Sequence, residues 1–561
     1  MKLQQCDGAS MKESQNMLLG DLTQALSRIH SYEEIRLFIA GTPNFGHQAS
    51  SVNLLLRLAW DYTYPGLITV VYDPGDQTGG RTAPKLLRLL QRYVDPNAPE
   101  ALPSRLHLAQ LQWVSMEEFA ARTSIRVGFG LTGGAEMERI YHSSLADMLN
   151  VCIALKLQPF QWPWCRDGID FHSQSQRPTV DLLSDHYLGW RLFHRAYRLP
   201  RILYSPLPHD RQSNPDAIIK RLLALRSQTS RMSLSCVYGV RRQGVCHVDP
   251  ANLLYIYFLA LLEAFLPVTK KGGSNIPRRR ILVVNFDEFW DEAFTRLQDY
   301  LYNHDSESAS THPSSTDQRP VALPTSEDLS NWVCCIRAPE ELPAALNWFE
   351  EPQPQLQDTS VRGATYDNSH TPNPQRNDVK LLYIHIGFVA PESFVDALKQ
   401  ADLPIIFEGQ QTASAVASMG KPYFKLRDSM INSPSQVLRI PDDTYRHSDA
   451  IDRVQAASLN LQLGALGEMD LEKSVECVAN LITECTDSSS ALKTYLNDLE
   501  AHYRKRGADK FETCLATWNR YGFLNQSGCM EGAHVEAPPL GSDKPVLHID
   551  EARKILSQLG L

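Results

Sequence analysis

The stretch that decides the fold begins Leu381-Leu382-Tyr383-Ile384-His385-Ile386-Gly387-Phe388-Val389-Ala390-Pro391-Glu392-Ser393-Phe394 and continues as a helix to Gln400. It then runs through Ala401-Asp402-Leu403-Pro404-Ile405-Ile406 into Phe407-Glu408-Gly409-Gln410-Gln411-Thr412. An apolar strand, a helix and a second apolar strand are followed by a glycine turn that opens a helix of small residues, Ala413, Ser414, Ala415, Ala417 and Ser418. Gly420-Lys421-Pro422 stops that helix, and Tyr423 to Leu426 begins another strand. Alternation of this kind makes βαβ units and a parallel sheet. Small side chains let the helix N-terminus near Gly409 approach an anion closely, and the helix dipole favours a diphosphate there.

The same alternation extends upstream. Ile35-Arg36-Leu37-Phe38-Ile39-Ala40 reads as a strand, Ser50 to Tyr62 as a helix and Leu67-Ile68-Thr69-Val70-Val71-Tyr72 as the next strand. Leu234-Ser235-Cys236-Val237-Tyr238 and Ile281-Leu282-Val283-Val284-Asn285 belong to a second sheet, with the break near residues 210–232. A chain of 561 residues is too long for one core. The expected fold is therefore α/β, with two Rossmann-like domains facing a cleft. Residues 1–230 form the acceptor-side domain and 231–526 the nucleotide-binding domain, with a tail over 527–561. Segments 303–324 and 351–378, rich in Ser, Thr, Asp, Pro, Gln and Asn, read as surface inserts, because they offer little apolar area to offset the entropy of ordering.

Composition excludes several classes. Hydrophobic residues make up 43% and charged residues 21%, ordinary globular usage. A net charge of −9 argues against a nucleic-acid partner, which needs a concentrated basic field. The 11 cysteines are scattered without a CxxC pair, so reduced thiols and a cytoplasmic location are expected, with no zinc or other metal site and no cofactor. Met1 to Asn16 has no apolar signal core. Ala251 to Pro267 is too short to span a bilayer and contains Glu263, so it reads as a buried helix and no transmembrane segment is expected.

Three further segments are candidates for chemistry. Gly41-Thr42-Pro43-Asn44-Phe45-Gly46-His47-Gln48 joins a strand to a helix and brings Asn44, Gly46 and His47 to the carboxyl edge of the sheet. His47 has the pKa range of a general base, or it simply caps the helix. Gly128-Phe129-Gly130-Leu131-Thr132-Gly133-Gly134 matches GxGxxG, but the strand before it is short and no acidic residue follows in position to hold a ribose. It reads as a cleft loop with Gly130 and Gly133 at its surface, and not as a dinucleotide site. Tyr238-Gly239-Val240-Arg241-Arg242-Gln243-Gly244 leaves the first strand of the second sheet, and Arg241 or Arg242 could stabilise a departing diphosphate; an exposed arginine pair is the alternative.

The segment 381–426 resembles the donor-binding region of GT-B glycosyltransferases, in particular the group related to the bacterial undecaprenyl-linked GlcNAc transferase. The shared pattern is Gly387-Phe388, Pro391, Phe394, Ala401-Asp402-Leu403, the turn with Thr412, and Gly420-Lys421-Pro422. Similarity continues over 456–466, 474–486 and 508–518, where such enzymes have their last donor-domain helices and a C-terminal crossover, and Gly46-His47 resembles the family's Gly-Gly-His loop. Glu408 stands where that family has the first of two glycines, and Ala415 where it has a ribose-gripping Glu. An acidic residue in this turn is also similar, more distantly, to the protein-arginine rhamnosyltransferases. The resemblance implies a metal-independent transferase with a nucleotide-sugar donor and an unidentified acceptor; no DxD at a strand end suggests the metal-dependent GT-A alternative. Donor contacts would come from Gly409, Gln410, Gln411, Thr412, Tyr238, Arg241 and Arg242. His47 would act as base, and Glu408 would contact sugar, ribose or transition state, or serve only as a helix N-terminal charge. A sugar-nucleotide epimerase or hydrolase, or a non-catalytic nucleotide-binding scaffold, fits the same fold.

Overall fold

The computed structural model describes residues 8–41, 45–75, 82–122, 125–134, 144–157, 167–175, 180–182, 215–228, 232–240, 248–265, 279–287, 291–302, 329, 331–337, 339–350, 379–387, 389–426, 438, 440, 446–504 and 509–520. Both expected inserts and the tail 527–561 lie outside these residues. The chain is α/β, and its described residues form an eight-stranded mixed sheet and a six-stranded parallel sheet.

In the first sheet the strands are β1 (Glu34–Ile39), β2 (Leu67–Tyr72), β3 (Arg105–Leu106), β4 (Ala109–Ser115), β5 (Val127–Thr132), β6 (Val151–Lys156), β7 (Asp167–Phe171) and β8 (Val180–Leu182). They lie in the order β3-β4-β2-β1-β5-β6-β7-β8. The middle of the sheet, β4-β2-β1-β5-β6, is parallel, and antiparallel pairings add β3 at one edge and β7 and β8 at the other. Side-chain alternation on β1 shows why this run of apolar residues is buried on both faces. Ile35, Leu37 and Ile39 enter one core, while Phe38 and Ala40 enter the smaller core on the opposite face. Arg36 is buried with Phe38, and its guanidinium donates to the backbone oxygens of Leu149, Asn150 and Ile125 and to Glu34.

The second sheet is built from β9 (Met232–Tyr238), β10 (Arg279–Asn285), β11 (Val333–Ile336), β12 (Val379–His385), β13 (Ile405–Phe407) and β14 (Tyr423–Lys425), in the order β11-β12-β10-β9-β13-β14. Every pairing is parallel. Its strands are mostly apolar and buried on both faces, with polar residues such as Arg280, Lys380, Asn285 and His385 near the strand ends. The helix Pro250–Phe265, expected as a buried apolar segment, packs at the centre of this lobe against Leu471–Thr486. No described helix is long and apolar enough to cross a membrane.

One boundary differs from the sequence expectation, and the C-terminal end of the chain crosses between the lobes. The helix Pro215–Gln228, placed in the first domain by composition, contributes Ile218, Ile219, Leu222 and Leu223 to the second core. At the other end, the helix Lys510–Arg520 leaves the second lobe and joins the first, where Phe511, Leu515 and Trp518 are buried beside the helix Gly8–Ser31. Arg520 pairs with Asp21, and Asn519 donates to Gln24. The physical reason is a buried charge. Arg57, fully enclosed, donates to both oxygens of Asp509 at 2.8 and 3.1 Å and to the hydroxyl of Tyr62, which in turn donates to Glu512. An arginine in that position requires acids, and among the described residues Asp509 and Glu512, at the start of the returning segment, supply them.

The thiols also depart from expectation. Cys152 on β6 is disulfide-bonded, whereas Cys236, Cys334, Cys335, Cys477, Cys485 and Cys514 are free.

Candidate functional site

Each sheet has one position where the strand order reverses. In the first sheet β2 and β4 lie on one side of β1 and β5 on the other; in the second, β10 and β12 lie on one side of β9 and β13 on the other. Open α/β sheets bind ligands at such points, outside the carboxyl ends of the strands. The turns that flank these points carry the residues singled out from sequence.

At the first reversal, the turn after β1 leads into the helix Phe45–Leu56, with His47 half-buried in its first turn. The turn after β5 lies against it: a Cβ on Gly134 would stand 3.0 Å from Nδ1 of His47. Gln48 Nε2 donates to the carbonyl of Ala40 at 2.7 Å, and Ser51 Oγ accepts the Gly133 N–H at 3.3 Å. Neutral side chains of one helix thus hold both turns. Gly46 has open space where a Cβ would stand, and Asn44 lies outside the described residues. Asp73, just past β2, is buried at the same edge and accepts the Gly75 N–H.

The glycine-rich segment needs correction. Gly128 and Gly130 are not in a loop but within β5, where Gly130 pairs with Arg36 and Ala154. Their missing side chains make room for neighbours: a Cβ on Gly128 would collide with the Tyr32 ring, and one on Gly130 with Leu149 and Val151. Only Gly133 and Gly134 belong to the turn.

At the second reversal, β13 is followed by Glu408, whose N–H donates to the carbonyl of Tyr238 at 3.2 Å. Gly409 follows at φ +95°, ψ 153°, and a Cβ there would meet nothing within 4 Å, so the turn is open on that side. The helix Gln410–Ser418 starts here without a side-chain cap, and its first backbone bond runs from Ala413 N–H to Gly409 O. The N–H groups of Gln410, Gln411 and Thr412 therefore precede the intrahelical ladder, which is the arrangement that receives anions. Side chains of Gln410 and Gln411 lie outside the described residues, and that of Thr412 is buried. Ala415 faces the core of the second lobe.

The turn after β9 stands on the other side of this reversal. Gly239 adopts φ +85°, a conformation that disfavours any side chain, and a Cβ on it would lie 2.9 Å from Cβ of Glu408. The Tyr238 ring packs on Phe394, with centroids 5.1 Å apart. Arg241 and Arg242 lie outside the described residues.

Several residues at this edge escaped the sequence reading. Asp287, 3% exposed, accepts the N–H groups of Gly239 and Val240. Its own N–H donates to Asn285 Oδ1, Asn285 Nδ2 donates to the Tyr383 hydroxyl, and Nε2 of His385 meets the carbonyl of Asp287 at 3.2 Å. The usable signal is positional: Asn285-Phe286-Asp287 and His385 are polar residues at the carboxyl ends of apolar strands, where ligands and their supports collect.

The two lobes touch through the helices that begin at the two reversals. The helix Phe45–Leu56 packs against the helix Gln410–Ser418, so the His47 turn and the Gly409 turn open the N-terminal ends of contacting helices. A second bridge joins Arg92 of the first lobe to Glu392 of the second, with Nε and Oε1 3.5 Å apart. Burial raises the Glu392 carboxyl above the ordinary carboxylate range, and the Arg92 guanidinium opposes that rise.

No protein-family model matches the chain, and no curated protein is significantly similar to it.

Proposed function

We propose that this protein is a GT-B-type glycosyltransferase, moving a sugar from a nucleotide-sugar donor on the second lobe to an acceptor on the first. The observation that carries the proposal is the pairing of the reversals: helices 45–56 and 410–418 are in contact, and each begins at the ligand-binding edge of its own sheet. The uncapped helix N-terminus after Gly409 suits a diphosphate, and the half-buried His47 suits an acceptor hydroxyl or nitrogen.

In the proposed reaction the acceptor attacks the anomeric carbon and its proton passes to His47. The bond from the anomeric carbon to the phosphate oxygen breaks, and its electron pair leaves with the nucleoside diphosphate. Backbone N–H groups of residues 410–412 stabilise the charge on that leaving group without reorganising. Glu408, which lies beside Gly239, would meet sugar or ribose hydroxyls next to that diphosphate.

The burial of Ala415 favours one further reading, a nucleotide-binding protein without transfer activity, because the position that grips ribose in the resembling family has no polar group here and faces the core. Turnover separates the two. Calorimetric titration with UDP-, GDP- and dTDP-sugars identifies the donor, and mass spectrometry of the reaction with candidate acceptors detects the glycoside. Transfer requires a donor that binds and a product that appears. His47→Ala is expected to lower turnover by about 100-fold or more while leaving donor affinity within about twofold. Undiminished turnover in that variant removes His47 from the mechanism.

A further inference from the structure

We propose that Asp287 is a positioning residue of the donor site, holding the turn after β9 in the shape that sets Glu408 and Gly409 at the strand reversal. The proposal rests on the glycosyl-transfer reading of that site. A carboxylate beside an anion site is adverse unless its charge is already engaged, and here both oxygens are taken by the amides of Gly239 and Val240. With 3% of its surface exposed, Asp287 acts on the turn and not on a ligand.

The carboxylate is itself braced from neighbouring strands. Asn285 on β10 receives its N–H at 2.8 Å, Tyr383 on β12 receives the Asn285 amide at 2.9 Å, and His385 at the end of β12 meets its carbonyl. The consequence reaches β13 through Gly239. This residue is held at φ +85°, where a Cβ would stand only 2.9 Å from Cβ of Glu408, and the adjoining Tyr238 carbonyl accepts the Glu408 N–H. Turn shape on one side of the reversal thereby fixes where the Gly409 turn begins on the other. Charge-assisted bonds to backbone amides are roughly twice as strong as neutral ones, which suits a turn that must keep its shape when no ligand is present.

The isosteric substitution Asp287→Asn separates positioning from mere support, because an amide can accept from one N–H but must set its own NH2 group against the other. The wild type and the variant are titrated calorimetrically with UDP, GDP and dTDP, and their melting temperatures are measured alongside. Expected is an affinity about tenfold weaker in Asp287→Asn for whichever nucleotide the wild type binds. Gly239→Ala, which keeps the carboxylate but pushes the turn against Glu408, is expected to weaken the same nucleotide comparably and decides the matter should Asp287→Asn not fold. A lower melting temperature with unchanged nucleotide affinity in the folded variants overturns the proposal alone. Failure of the wild type to bind any of the three overturns the donor-site reading, and the proposal with it.

Discussion

The turn after β1 and the turn after β9 occupy equivalent places in their sheets, yet they are held by different chemistry. Among the described residues, the helix that carries His47 holds its turns through a carboxamide and a hydroxyl, Gln48 on Ala40 and Ser51 on Gly133. Around Gly239 the holding group is a buried carboxylate that takes two backbone amides at once. Hydrogen bonds to a charged acceptor are the stronger kind, so the second turn costs more to deform than the first. In the proposed transferase this difference matches the ligands: a diphosphate demands a fixed ring of donors, whereas an acceptor tolerates adjustment before domain closure.

The strongest challenge to this contrast comes from behind the first turn. The helix carrying His47 runs into Arg57, whose charge is matched by Asp509 and Glu512 of the returning C-terminal segment. Asp509→Ala leaves that guanidinium short of its bidentate partner and is expected to cost about 3–5 kcal/mol in urea unfolding. Because the loss falls on the first lobe, nucleotide affinity in the folded fraction should be unchanged. A loss below about 1 kcal/mol means that the crossover does not depend on this pair.

The direct comparison of the two turns is smaller. Asp287→Ala strands two buried N–H groups and is expected to cost about 2–3 kcal/mol, while Gln48→Ala strands one carbonyl and should cost about 1 kcal/mol. Equal costs from equilibrium denaturation would erase the distinction between a charged and a neutral hold.

The smallest effect concerns the bridge between lobes. Glu392 keeps its proton to higher pH in the folded chain than in the unfolded one, since burial raises its carboxyl more than Arg92 lowers it. Its contribution to stability therefore falls as pH rises from the ordinary carboxylate range through the raised one. Glu392→Gln carries no charge at any pH and should flatten that part of the stability profile. The nearby Asp396, also raised by burial, keeps the rest of the slope. An unaltered profile in the variant would assign the slope elsewhere.

Much of the fold can be read locally because parallel strands are continuous apolar runs. The segments around Leu37, Val70, Leu234, Val283, Leu382 and Ile406 all declare themselves, as does the turn at Gly409. What escapes is whatever depends on a distant partner. Gly130 looks like a loop glycine until Leu149 and Val151 are seen to fill its side-chain space. Asp287 is one more acid after a strand until Gly239, 48 residues earlier, is found on its carboxylate. The resemblance implies a crossover over 508–518, but the buried partner that meets it on the first lobe, Arg57, lies 452 residues before Asp509. Local pattern finds the edge where chemistry can occur, while the groups that shape that edge come from contacts across the sheet.

The most direct test of the central claim is an experimental structure of the protein with the nucleoside diphosphate that titration selects. The account predicts phosphate oxygens about 3 Å from the N–H groups of residues 410–412, with the sugar end directed toward His47. A nucleotide bound at the opposite edge of the second sheet, or with its phosphates away from the Gly409 turn, would contradict it.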